Sequence, residues 1–255
     1  MHKTPPPCEG GGRGEVKFVF MNLGVEKYIP HLSLDCVVFG FENNELKVLI
    51  SKFKFGEELW NFPGGYIGWE ESIEEAAQRV LQNRTSLKNI YLEQFRVFGQ
   101  KDRILNSPHR DFIRSKLIEQ YNESDANWMM GRFVCVGFYA LVDISKVQPQ
   151  VGKMDLKLEW RSLDDLPEMV HDHREILNYA LEAVRQDMYE KSLAKNLLPE
   201  HFTMKELMEL YEAVFDKKFS MNNFQKKMLE QGKLERLEKK FTGASNKAPY
   251  LYRFK

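Results

Sequence analysis

Two stretches of this 255-residue sequence carry residue types and spacings that could do chemistry. Residues 65–87, GYIGWEESIEEAAQRVLQNRTSL, set Glu70, Glu71, Glu74 and Glu75 just after a glycine turn and Arg79 one helical turn beyond Glu75. Carboxylates three and four residues apart share a helical face, where they can gather the hard, oxygen-seeking Mg²⁺. Arg79 can pair with Glu75 or with Glu71 as a scaffold contact, a residual metal role for Glu71 being the alternative. The second stretch, Met221 to Glu230, presents Asn222, Asn223, Gln225, Lys226 and Lys227, amides for base edges and ammoniums for phosphates. Lys239, Lys240, Asn246 and Lys247 follow where a hairpin would reach a nucleic-acid backbone. Each lysine taken alone reads equally well as a solvated surface charge, while Phe224 and Met228 are expected to pack inward.

The elements that must position these residues follow from periodicity. Leu32 to Phe41 and Leu46 to Phe53 are β-rich runs around the turn at residues 42–45, a hairpin. Trp60 to Phe62 is a third strand that stops at Pro63-Gly64-Gly65, and Ser72 caps a helix running to about Leu81. Strands are expected at Tyr91 to Phe98, Phe133 to Val142 and Leu156 to Trp160, and a helix at Arg174 to Met188, where Ile176, Leu177, Ala180, Leu181 and Val184 keep one buried face. Residues 107–132 form a polar insertion with a possible amphipathic helix from Phe112 to Tyr121, either a surface excursion or a lid over a ligand pocket. In residues 201–255, Thr203 and Glu206 make a capping box before an apolar helical period, Ser220 caps a second helix, and the tail reads as a β-hairpin. Helix, helix, hairpin is the pattern of a winged helix.

Lysine plus arginine and aspartate plus glutamate both total 37, so the whole-chain charge points neither to nucleic acid nor to a membrane surface. The balance hides an asymmetry: residues 200–255 hold 12 basic against 8 acidic residues, the rest of the chain 25 against 29. Basic charge on a small module is the electrostatic footprint of a DNA binder. Cys8, Cys36 and Cys135 form no CxxC pair, and two lie in apolar strand-like runs, which fits a reducing cytoplasm. The N-terminal residues have no apolar h-region of a signal peptide, and no apolar run is long enough for a bilayer, so a protein that is not exported is expected. Residues 1–29, with Pro5-Pro6-Pro7 and Gly10-Gly11-Gly12, read as a flexible segment.

Residues 65–87 resemble the Nudix box in register at Gly65, Glu71, Arg79, Leu81 and Leu87, and the preceding Phe62-Pro63-Gly64-Gly65 and later Trp160 to Pro167 are similar to the same superfamily. Its metal-binding glutamates fall at Val80, Asn83 and Arg84, and its later glycine at Ser86, so the resemblance implies the fold without hydrolysis, metal or cofactor. Joined to Asn196 to Pro199, Phe202-Thr203, Leu210 to Val214 and Asn223 to Met228, and with Phe98-Gly99, Asp102-Arg103 and Asp172-His173, the chain resembles Nudix-related transcriptional regulators, the group including repressors of NAD metabolism and regulators of arabinose use. The implied class is α/β: a Nudix α/β/α sandwich with a mixed sheet (residues 30–187), a linker (188–200) and a small winged helix-turn-helix domain (201–255). The resemblance further implies a homodimer on double-stranded operator DNA, with a sugar or ADP-ribose-like effector. Lys52, Phe62, Asp102 and Arg103 are the candidate effector residues: Lys52 and Arg103 suit phosphate, Asp102 a sugar hydroxyl. Asp172-His173 either holds the domains together or caps the last helix. The competing readings are an active hydrolase drawing carboxylates from Glu70, Glu74 or Glu75, and a protein-interaction scaffold that binds no DNA.

Overall fold

The computed structural model describes residues 23–54, 58–240 and 248–255. Its main sheet is built on β1 (Tyr28–Glu42), which pairs antiparallel with β2 (Glu45–Phe53) and parallel with β6 (Val134–Val142). β3 (Trp60–Asn61) and β7 (Asp155–Ser162) add to β2, β4 (Gly64–Gly68) adds to the start of β1, and β5 (Tyr91–Phe98) closes the far edge on β6. The sheet is therefore mixed, as expected. Successive residues of a strand point to opposite faces, so Cys36 and Val38 bury against one layer and Val37 and Phe39 against the other.

The first layer is α1 (Ile73–Thr85), started by a capping box in which the Ser72 hydroxyl accepts from the Glu75 N–H and Glu75 accepts from the Ser72 N–H. Ala76, Ala77, Val80 and Leu81 form its buried stripe. The helix runs one turn past the expected end, to Ser86, a C-cap at φ 61° whose left-handed backbone accounts for the glycine of the Nudix pattern at that position. The opposite layer is α4 (His173–Glu190), with Ile176, Leu177, Ala180, Val184 and Met188 buried. The expected stop at Pro63-Gly64-Gly65 is instead the entry to β4: paired with Asp35 and Leu34, the two glycines continue the sheet. The 107–132 insertion forms two helices, α2 (Arg110–Gln120) and α3 (Glu123–Met129), whose Ile113, Leu117, Ala126 and Met129 make a separate apolar cluster with Met130, Phe133 and Val170.

The C-terminal module has α5 (Met204–Phe215), α6 (Met221–Glu230) and a three-stranded sheet of β8 (Phe202–Thr203), β10 (Tyr250–Phe254) and β9 (Leu234–Lys239). The Thr203–Glu206 capping box is present, Phe224 and Met228 are buried as expected, and Ser220 holds the N-cap position of α6 without a side-chain bond. The 188–200 stretch, expected as a linker, begins inside α4 and is packed: Met188, Leu193, Ala194, Leu197 and Leu198 are buried in a core that also holds Val48, Leu207, Tyr211 and Tyr252. Residues 23–29 depart from the expected flexible segment too, since the Leu23 N–H donates to Asp125 (3.2 Å) and the Tyr28 ring packs at a tilt against Tyr66 and Trp128. Residues 1–22, Cys8 included, lie outside the described residues, as do Asn246 and Lys247. Among the described residues no helix is long and apolar enough to cross a membrane.

Candidate functional site

A cavity opens between the β3–β4 corner, the start of α4 and the insertion, which contributes Ile113, Leu117 and Met129 to its wall. The insertion thus covers a pocket rather than making a surface excursion. At the cavity's polar end, the Arg103 guanidinium grips Asp172 through Nε and Nη2, each at 2.7 Å, and lies 4.0 Å from Asp35. Burial works against that charge, but the carboxylates more than offset it and hold the arginine above its ordinary value. Asp35 accepts from the Cys135 thiol (3.0 Å) and faces His173 Nε2 at 3.5 Å. Because His173 Nδ1 accepts the Phe62 N–H (3.1 Å), its proton resides on Nε2, toward Asp35, and the Phe62 and His173 rings stack with centroids 5.4 Å apart. Burial pushes His173 below its usual value. A Cβ on Gly64 would stand 2.5 Å from Asp35 Oδ1, so only glycine lets β4 pass this carboxylate.

Of the four candidate effector residues, the structure brings Phe62 and Arg103 to this cavity. Lys52 is not among its lining residues; it is held by Glu58 across the β2–β3 connection. Asp102 is also absent from the lining and accepts instead from the Asn106 side chain (3.2 Å). Asp35, Asn61, Tyr66 and His171 line the cavity without having been singled out, Asp35 and Asn61 because they come from strands whose alternation could not say which face is open. Asp172 holds the N-cap position of α4 and His173 is the helix's first residue. The Asp172 side chain makes no cap bond because it is committed to Arg103.

The donors on the Nudix helix do not fit the divalent metal that its fold implies. Val80 is 5% exposed and packs in the apolar layer, Asn83 points out, and Arg84 Nη1 is paired at 2.5 Å with Asp155, itself 2% exposed. Glu71 is consumed by Arg79, at 2.8 Å from Nε and 2.6 Å from Nη2, and by the Gly68 N–H at 2.7 Å. The Arg79 bonds, more than the Gly68 amide, hold the Glu71 carboxyl below the usual carboxylate range, which resolves its partner in favour of Glu71. Glu75 belongs to the capping box.

The candidate nucleic-acid face is α6 with its flanking turns. Asn222, Asn223, Lys226 and Lys227 are exposed and Gln225 half-buried. Lys226 reaches Glu230 only at 3.9 Å, whereas the Lys227 ammonium lies 3.9 Å from the centroid of the Tyr189 ring on α4. In the hairpin the Lys239 ammonium lies over the Tyr250 ring, 5.4 Å from its centroid, and Lys240 is drawn back to Glu206 of the capping box (3.1 Å). In the turn between α5 and α6, Lys218 is paired with Glu212 (2.8 Å) and Lys217 lies over the Phe215 and Phe219 rings.

The profile of the NUDIX domain matches residues 30–180 and that of the NrtR DNA-binding winged helix domain residues 194–254. An ADPR responsive transcriptional repressor from Acinetobacter baylyi is 23% identical over 231 residues, covering 88% of this chain and 82% of that protein. Two solved structures share the fold: Shewanella oneidensis NrtR complexed with a 27mer DNA and a MutT/nudix family protein from Enterococcus faecalis. The first is 24% identical with TM-score 0.65, covering 88% of this chain and 93% of that one. The second is 20% identical with TM-score 0.64, covering 89% and 87%. With the NUDIX profile spanning more than half of its length and the second profile covering its C-terminal module, the chain belongs to the NUDIX family and ends in a winged helix domain of the NrtR DNA-binding type.

Proposed function

We propose that the protein is a homodimeric, cytoplasmic DNA-binding transcriptional regulator. Its Nudix domain senses a sugar or ADP-ribose-like nucleotide without hydrolysing it, in control of carbohydrate or NAD metabolism. The observation that carries this reading is the double attachment of α4. Its N-terminal Asp172 and His173 belong to the polar end of the cavity, and its C-terminal Met188 and Tyr189 pack on Tyr211 and Phe215 of the winged helix. A ligand that engages Arg103 or Asp35 therefore acts on the rod that carries the DNA-binding module. The Acinetobacter repressor's response to ADPR and the Shewanella protein's complex with DNA support the same assignment. For the hydrolase alternative, Glu75 is tied up in a cap, and the exposed Glu70 and Glu74 join no group of three or more His, Cys, Asp or Glu side chains that could hold a metal among the described residues.

The deciding experiment is a gel shift against the gene's own upstream region with and without ADP-ribose, arabinose and ribose, run beside a phosphate-release assay on ADP-ribose with Mg²⁺. Retarded DNA whose affinity changes with one of these ligands, with no phosphate released, is the expected result. Metal-dependent turnover that Glu71→Gln abolishes would overturn it.

A further inference from the structure

α4 ends at Glu190, and the Lys191 N–H takes the Asp187 carbonyl. The carbonyls of Met188, Tyr189 and Glu190 then have no donor from their own helix, and backbone acceptors in a packed seam are costly to leave unpaired. The winged helix supplies the donors. The Tyr211 hydroxyl donates to the Met188 carbonyl at 3.2 Å, and the Lys233 ammonium donates to those of Tyr189 at 3.0 Å and Glu190 at 2.9 Å. The exchange is mutual, since Arg185 of α4 gives its Nε–H to the Val214 carbonyl near the end of α5 at 2.7 Å. A helix C-terminus carries about half a negative charge, so a cation there gains from the dipole as well as from its hydrogen bonds.

Lys233 stands where three elements meet. Gly232, at φ 67°, turns the chain out of α6; a Cβ there would meet nothing within 4 Å, so backbone conformation and not crowding asks for glycine. Lys233 follows, its carbonyl accepts the Lys255 N–H at 2.9 Å just past β10, and β9 starts at Leu234. The end of α6, the hairpin and the last turn of α4 are thus joined through one half-buried residue. Lys227 closes the same place from α6 by lying over the Tyr189 ring. Among the described residues no carboxylate pairs with Lys233; its ammonium is spent on the two carbonyls of α4.

A lysine just past a helix that presents amides and ammoniums to DNA would ordinarily be assigned to a phosphate. We infer instead that Lys233 is a positioning residue: by capping α4 it fixes the angle at which α6 leaves the shared core, and it makes no contact with the DNA backbone. This rests on the DNA-binding reading above and adds to it the atoms that orient α6. Loss of the cap lowers the fraction of molecules that hold α6 in the binding arrangement. Apparent affinity falls by that fraction, while the number of phosphate contacts in the complex stays the same.

Gel shifts of the full chain on the gene's own upstream region, over a series of salt concentrations, test this with Lys233→Met, Lys233→Arg and Tyr211→Phe, each checked by a thermal melt. Lys233→Met keeps the apolar stem and removes the cap; it should weaken retardation about tenfold at the wild-type log–log salt slope. Lys233→Arg, whose guanidinium can still donate to both carbonyls, should restore most of that loss. Tyr211→Phe removes the Met188 cap without changing any charge, and should weaken binding in the same direction at the same slope. A slope reduced in magnitude by about 1 for Lys233→Met would place Lys233 on a phosphate and overturn the inference. Undiminished retardation by folded Lys233→Met overturns it too, as does undiminished retardation by Tyr211→Phe where Lys233→Met does not fold. These outcomes leave the DNA-binding reading standing. Wild-type protein that does not retard DNA removes that reading and the role of Lys233 together.

Discussion

His171 holds a left-handed backbone at φ 49°, lines the cavity, and buries an Nδ1 that no described residue satisfies. Burial first, and then the neighbouring His173 and Arg103, push its pKa down from 6.5 to about 4. Above pH 6.5 both folded and unfolded chains keep this ring neutral. Below it the unfolded chain takes up a proton that the folded chain refuses until about pH 4, so stability drains away across that window as the pH falls. His171→Asn tests this without adding strain, because asparagine tolerates the left-handed region. Between pH 7 and pH 5, urea unfolding of the wild type should lose about 2 kcal/mol more than the variant, the carboxylate contributions being common to both. Arg103 makes a harsher case. Replacing it by Met leaves the half-buried Asp172 and Asp35 carboxylates without the cation they share, an expected loss of about 3 kcal/mol in the same assay. These residues also mark what sequence could say of the site. Arg103 and Phe62 are recognisable from their neighbours in the chain, but Asp35, Asn61 and His171 become a cluster only through pairings between β1, β2, β3 and α4 that no local pattern encodes.

Most elements were legible because their signals are local: the Ser72 and Thr203 capping boxes, the apolar stripe of α4, and β5 from Tyr91 to Phe98 are where periodicity put them. β4 was not, since its glycines signal a turn and only pairing with β1 makes them a strand. The packed 188–200 segment escaped for a related reason, its burial being supplied by a partner layer distant in sequence. At this scale the cap of α5 is testable. The Thr203 hydroxyl accepts the Glu206 N–H at 3.2 Å, while its own N–H reaches the Glu206 carboxylate at 2.6 Å. Thr203→Ala should cost about 1 kcal/mol, read as a lowered denaturation midpoint. On α6 the two adjacent lysines should behave differently. Lys226→Ala is expected to weaken DNA retardation and reduce the magnitude of the log–log salt slope by about 1, as for a lost phosphate contact. Lys227, seated over Tyr189, should leave the slope nearly unchanged when replaced by alanine. Equal slopes for both variants would mean that α6 presents another face to DNA.

The whole molecule is organised around a core that does not respect its division into two sequence modules. Val37, Val48 and Tyr139 of the sheet, Val184 and Met188 of α4, and Leu207, Tyr211 and Phe224 of the winged helix belong to one buried cluster. Few loose residues intervene, and the Arg185 side chain donates to the Val214 carbonyl (2.7 Å) to close the seam. Heat should therefore unfold the protein in one calorimetric transition. Met188→Ala, which opens a void at the junction, should lower that transition as a unit by about 2–5 kcal/mol instead of splitting it. The same continuity bears on signalling. α4 is 18 residues, about 27 Å of stiff helix, with the Asp172–Arg103 clasp at its start and Tyr189 against Tyr211, Phe215 and Lys227 at its end. A ligand changes DNA affinity only by as much as its own binding free energy differs between the DNA-bound and DNA-free protein. Tyr189→Leu keeps apolar contact but removes the ring that both Lys227 and the α5 aromatics engage. The expected outcome is near-wild-type DNA binding without effector and unchanged effector affinity, but a ratio of DNA dissociation constants with and without ADP-ribose that moves toward one. A ratio equal to that of the wild type would take the coupling away from this end of α4 and assign it to another part of the shared core.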